Sequence, residues 1–138
     1  MITAVDTNIL LDILLPNENF FNQSRLALEE AWVAGSLVVC DLVYAEVSIH
    51  FPTREECDAF VSETGIQVEL LERAASFLAS RAWRNYRKRG GKRSRILSDF
   101  LVGAHAQVQA SRLLTRDRGF YRELFPELKV LDPSRLPS

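Results

Sequence analysis

The chain has 138 residues, 47% of them hydrophobic and 25% charged, with a formal net charge of −1; these values fit one globular domain spanning residues 1–138 and exclude a disordered or fibrous chain. No basic segment leads into an apolar run at the start, and no apolar stretch is long enough to span a bilayer, so a cytoplasmic protein with no secretory leader and no membrane contact is expected. Cys40 and Cys57 are the only cysteines; they lack both the spacing of a zinc site and the density of a disulfide scaffold, and read as reduced, buried thiols.

In chain order, residues 2–5 form a short apolar run ending at Asp6, which predicts a buried strand with a carboxylate at its C-terminal end. Asn8 to Leu15 reads as a short helix stopped by Pro16, and Asn19 to Ala34 as a longer one that packs through Phe20, Leu26, Leu28, Ala31 and Trp32 and ends at Gly35. Leu37 to Cys40 is a second strand. Asp41 then reads as the N-cap of a helix to His50 that carries Glu46. Thr53, with Glu56 three residues on, has the form of a capping box and opens a helix that Gly65 stops. Ile66 to Val68 is a third strand and Leu70 to Lys88 a helix, broken by Gly90-Gly91. Ser98 is placed to cap a helix from Asp99 to about Ala110, and Arg112 to Thr115 is a strand ending just before Asp117. Phe120 to Leu124 is a short helix and Lys129 to Leu131 a final strand. Strands alternating with helices predict an α/β fold: a mostly parallel central sheet of about four to five strands with helices on both faces.

Charge is unevenly placed. Residues 1–72 hold two basic and thirteen acidic side chains, whereas residues 73–98 hold nine Lys or Arg and no acid. Within the latter, Arg84, Arg87, Lys88, Arg89, Lys92, Arg93 and Arg95 place seven cations in twelve residues, directly ahead of Asp99. Such a stretch suits backbone phosphates of a nucleic acid, and equally suits a solvated helix end whose cations complement the dipole. Arg116 and Arg118, flanking Asp117, are further candidates for phosphate contact. Trp83 and Tyr86 offer faces for stacking on bases, although one of them is expected in the core. His105 shares a helix face with Leu101 and Val108 and is expected to be structural.

In a parallel sheet, ligands bind beyond the carboxyl ends of the strands. Asp6 and Asp117 follow strands at that end, while Glu46 and Asp99 lie in the first turns of helices leading away from it. Four carboxylates gathered without imidazole or thiolate suit a hard cation, Mg²⁺ or Mn²⁺, in one or two copies. Two such ions can activate water and stabilise a phosphodiester under attack. Taken singly, each acid also has an ordinary use, since Asp6, Asp99 and Asp117 stand where helix caps stand.

The segments Val5-Asp6-Thr7-Asn8, Tyr44-Ala45-Glu46-Val47, Ser98-Asp99-Phe100-Leu101-Val102-Gly103-Ala104 and Leu114-Thr115-Arg116-Asp117 resemble, in order and separation, the four motifs of PIN-domain ribonucleases of the VapC toxin type. The resemblance implies that Asp6, Glu46, Asp99 and Asp117 are catalytic, with Asp6, Asp99 and Asp117 as metal ligands. It implies Asn8 and Thr115 as polar supports around them. It further implies an endoribonuclease that leaves 5′-phosphate and 3′-hydroxyl ends, a homodimer, and a cognate antitoxin as partner. The fourth acid is the position that varies most in the family, and Asp12 or Asp41 stands as a substitute for Asp117.

Three other readings are distinguishable. A receiver domain is expected to have an acidic pair at the first strand, and a haloacid-dehalogenase type needs a second aspartate two residues after the first, where this chain has Asn8. A PIN-like module that binds RNA or protein without catalysis would not need all four acids.

Overall fold

The computed structural model describes residues 1–92 and 95–135. Strand β1 (Ile2–Val5) leads through helices α1 (Thr7–Leu14) and α2 (Phe21–Ala34) to β2 (Ser36–Cys40). Helices α3 (Asp41–Ser48) and α4 (Arg54–Glu63) connect to β3 (Ile66–Glu69), and α5 (Arg73–Lys88) and α6 (Leu97–Gln109) to β4 (Arg112–Leu114). Helix α7 (Arg118–Leu124), strand β5 (Val130–Leu131) and a 3-10 turn over Pro133–Arg135 complete the described chain.

The five strands form one sheet in the order β3-β2-β1-β4-β5, with every pairing parallel. Ala4 faces Val38 on one side and Leu113 on the other, so β1 is the central strand. It is buried on both faces, which is why its sequence is an apolar run and not an alternation. The chain moves one way across the sheet from β1 to β3 and then crosses back to β4 and β5. Right-handed crossovers therefore put α1–α4 on one face and α5–α7 on the other. The core on the second face centres on Phe100, 5.3 Å from Phe120, 5.4 Å from Tyr86 and 6.5 Å from Phe125 between ring centroids.

Several element starts differ from expectation for local reasons. Helix α2 begins at Phe21, because Asn17 accepts backbone bonds from Asn19, Phe20 and Phe21 in a preceding turn. Its inward face is Ser24, Ala27, Leu28 and Ala31, which leaves Leu26 50% and Trp32 60% exposed. Helix α5 begins at Arg73 and not Leu70, since Gln109 at the end of α6 bonds the backbone of Leu70 and Glu72. Helix α6 begins at Leu97, with Ser98 inside it, because the Asp99 carboxylate reaches back to the Ile96 N–H at 3.1 Å. Helix α3 starts at Asp41 itself, with Cys40 as the N-cap. Thr53 accepts from the Glu56 N–H at 3.2 Å, half of the capping box the sequence suggests. Gly65 ends α4 at φ +75°, a conformation that side chains with a Cβ rarely adopt.

Candidate metal and phosphodiester site

Strands β1 and β4 lie side by side, yet the chain leaves β1 toward β2 and β4 toward β5. Their connections diverge beyond the carboxyl ends and open a crevice there. Asp6 stands at its base, with its N–H bonded to the Leu114 carbonyl at 3.0 Å. Its carboxylate accepts from the Thr7 N–H at 2.8 Å, capping α1, and from the Thr115 hydroxyl at 2.8 Å and the Asn8 amide at 3.4 Å. The residue is 8% exposed. Burial is the main force pushing its pKa up to about 6; Thr115, Thr7 and the nearby Tyr121 hydroxyl pull it down, and the charge of Glu46 adds to the rise.

Thr115 joins the two strand ends into one network. Besides donating to Asp6, its hydroxyl accepts from the Asn8 amide at 3.3 Å and the Asp117 N–H at 2.9 Å. Asn8 turns its carbonyl oxygen to the Arg116 N–H at 3.2 Å. The backbone on both sides of the crevice is thus tied through two side chains.

Glu46 is exposed on α3 and accepts from the Thr7 hydroxyl at 3.1 Å. Tyr121, on α7, is 3% exposed. Its hydroxyl is held well above the usual range by burial first, and then by the negative charges of Asp6, Asp99 and Asp117. The four acids therefore stand around one edge of the sheet, with Tyr121 among three of them. Tyr121 is absent from the sequence reading, where its only signal is a position one helical turn after Asp117.

Asp117 is engaged by Arg95 through two bonds, at 2.6 and 3.2 Å, and the guanidinium lies 4.1 Å from the centre of the Phe120 ring. That pairing raises the Arg95 pKa. Among the described residues no three His, Cys, Asp or Glu side chains stand close enough together to grip an ion as they lie here. The donors that are present are carboxylate oxygens, the chemistry that Mg²⁺ and Mn²⁺ take.

The remaining expectations divide. Arg84, Lys88, Arg89 and Lys92 are exposed and form no ion pair among the described residues. Arg87 bends onto the Gly91 carbonyl at 3.2 Å, and Arg93 lies outside the described residues. Tyr86 packs on Phe100 and donates to the Lys92 carbonyl at 2.6 Å, so it is the core member of its pair, while Trp83 is 38% exposed. Arg116, expected at phosphate, instead forms two bonds to Asp12, at 2.7 and 3.0 Å, and covers Phe20. Asp12 is consumed by that pair and by Ser24 at 2.7 Å, which removes it as a substitute acid. Asp41 has one buried carboxylate oxygen without a partner among the described residues. His105 is buried and paired with Glu69 at 2.8 Å, the structural role expected of it.

A family profile described as the PIN domain matches residues 3–123, from β1 into α7 and through all four acidic segments. The chain belongs to the PIN domain family. Solved structures with the same fold include VapBC2 from Rickettsia felis bound to a DNA fragment from its promoter, at a TM-score of 0.74 and 17% identity, covering 96% of this chain and 98% of that one. VapBC-1 from nontypeable Haemophilus influenzae aligns at a TM-score of 0.72 and 18% identity over 98% and 100% of the two chains. A toxin–antitoxin complex from Klebsiella pneumoniae aligns at 0.64 and 19% over 95% and 97%. No curated protein matches. Among the described residues no helix is long and apolar enough to cross a membrane.

Proposed function

We propose that this PIN domain is an endoribonuclease dependent on Mg²⁺ or Mn²⁺ and serves as the toxin of a toxin–antitoxin pair. The observation that carries the reading is Asp6: a buried carboxylate at the point where the sheet's connections diverge, with three more acids around the same edge and no cationic partner among the described residues. Asp6, Asp99 and Asp117 would hold one or two ions, which would supply activated water and stabilise charge growing on the phosphate. Asn8 and Thr115 fix the direction of the Asp6 carboxylate, and Thr7 fixes Glu46, which is exposed at the rim and able to take a proton from the attacking water. The cations of α5 and the segment after it suit a polyanionic substrate. The toxin–antitoxin complexes among the fold neighbours support a cognate antitoxin as partner, and a homodimer in the cytoplasm is the assembly we propose with it.

Purified protein is expected to cut RNA internally with Mg²⁺ or Mn²⁺, leaving 5′-phosphate and 3′-hydroxyl ends, and to stop when the ion is chelated. Asp6→Asn should cut at least about 100-fold more slowly. Equal cutting by that variant sinks the proposal. The Arg95–Asp117 pairing favours a second reading, a module that binds RNA without cutting it. Calorimetry with Mn²⁺ separates the two, since a binding module of that kind takes up no ion at this edge.

A further inference from the structure

A cavity of about 340 Å³ opens between α7 and the turn after β5. Arg118, Arg122 and Arg135 line it together with Asp132, and Asp117 borders it. Arg118 and Arg122 are one helical turn apart on α7, an arrangement in which like charges repel. Asp132 spends one carboxylate oxygen on the Ser134 N–H and hydroxyl, at 3.0 and 2.7 Å. None of the three arginines forms an ion pair among the described residues. Three guanidiniums line one cavity beside two acids, of which Asp117 is engaged by Arg95, so an entering anion meets cations that pair with no acid among the described residues. Gly119 leaves the wall open, since a Cβ added there meets nothing within 4 Å.

We propose that Arg118, Arg122 and Arg135 form a second phosphate-binding site, which holds the backbone of the RNA strand on the far side of the cut from Arg84, Lys88, Arg89 and Lys92. Asp117 then lies between two cationic surfaces, and a strand running from one to the other passes over the acids. This assignment rests on the ribonuclease reading above.

The test uses the full chain in EDTA, where cutting is off, and follows a fluorescent single-stranded RNA of about a dozen nucleotides by anisotropy across a salt series. The Arg118→Gln, Arg122→Gln, Arg135→Gln triple variant should bind about ten-fold more weakly at low salt, with the salt slope reduced by about 1.5 to 2. Gly119→Glu keeps every arginine and puts a carboxylate into open space; it should reproduce the loss, which guards against misfolding of the triple variant. An unchanged slope in both variants overturns the proposal. A second arm titrates inorganic phosphate and watches the arginine Nε–H resonances by NMR. Millimolar phosphate should shift those of Arg118, Arg122 and Arg135 in the wild type and not in Gly119→Glu, and no shift again overturns the site. Phosphate binding by a wild type that binds no RNA overturns the ribonuclease reading and the strand assignment, and leaves an anion site for a different phosphate compound.

Discussion

Asp6 titrates near pH 6 where an ordinary aspartate titrates near 3.8, so folding takes up a proton in the interval between. Its buried charge costs nothing below about pH 4, where both states are protonated, and the cost reaches its full size above about pH 6. In EDTA, Asp6→Asn should therefore be more stable than the wild type at pH 8, by up to about 3 kcal/mol, and equal to it near pH 4, as read from urea midpoints. Added Mg²⁺ or Mn²⁺ should raise the wild-type midpoint and leave the variant's where it was. An equal rise in both would place ion binding elsewhere. Thr115→Val strips a partner from Asp6, Asn8 and the Asp117 N–H at once and should cost about 1–3 kcal/mol in denaturant unfolding, with Thr115→Ser restoring most of it. The place of Asp6 is legible in sequence because a short apolar run ends there, whereas Thr115 is marked only by the family resemblance. Tyr121 and the grip of Arg95 on Asp117 are not legible, since they depend on how α7 and the segment before α6 fold over the crevice, and no local pattern encodes that.

At the scale of elements, the ion pair between Asp12 and Arg116 ties α1, α2 and the segment after β4 together, with Ser24 on its far side and Phe20 under the guanidinium. Asp12→Ala leaves Arg116 and Ser24 without their acceptor and should cost about 2–4 kcal/mol. The Asp12→Ala, Arg116→Met double variant should recover part of that loss by removing the stranded charge as well. Gly103 is a second pin: a Cβ there would meet the Phe125 ring at 2.5 Å in a fully buried contact, so Gly103→Ala should destabilise α6 by about 1–3 kcal/mol. The strands and most helix ends are legible because apolar runs, glycines and one threonine cap mark them. The face α2 turns inward is not, because the buried Ser24–Asp12 bond, and not the hydrophobic pattern, sets its rotation; an aspartate in an apolar helix and a serine twelve residues later give no sign that they meet.

For the whole molecule, a formal charge of −1 conceals an acidic crevice and a cationic stretch beside it. Charge reversal at Arg84, Lys88 and Arg89, all exposed, should weaken RNA binding and flatten its salt dependence by about 2, while calorimetric binding of Mn²⁺ stays unchanged. An unchanged salt slope returns the stretch to plain solvated surface. The order of strands was beyond the reach of sequence, since alternating elements imply parallel pairing and leave open that β4 inserts beside β1.

That insertion also sets a clock. Asp6 is made well before Thr115, whose hydroxyl orients it and which lies 109 positions later. Pairing at such sequence distance is slow to form, because the intervening chain must first be ordered. Until β4 is made and docks against β1, the chain carries acids with no common edge to meet on. A protein that captures the chain before then would meet Asp6 without the Thr115 hydroxyl that orients it.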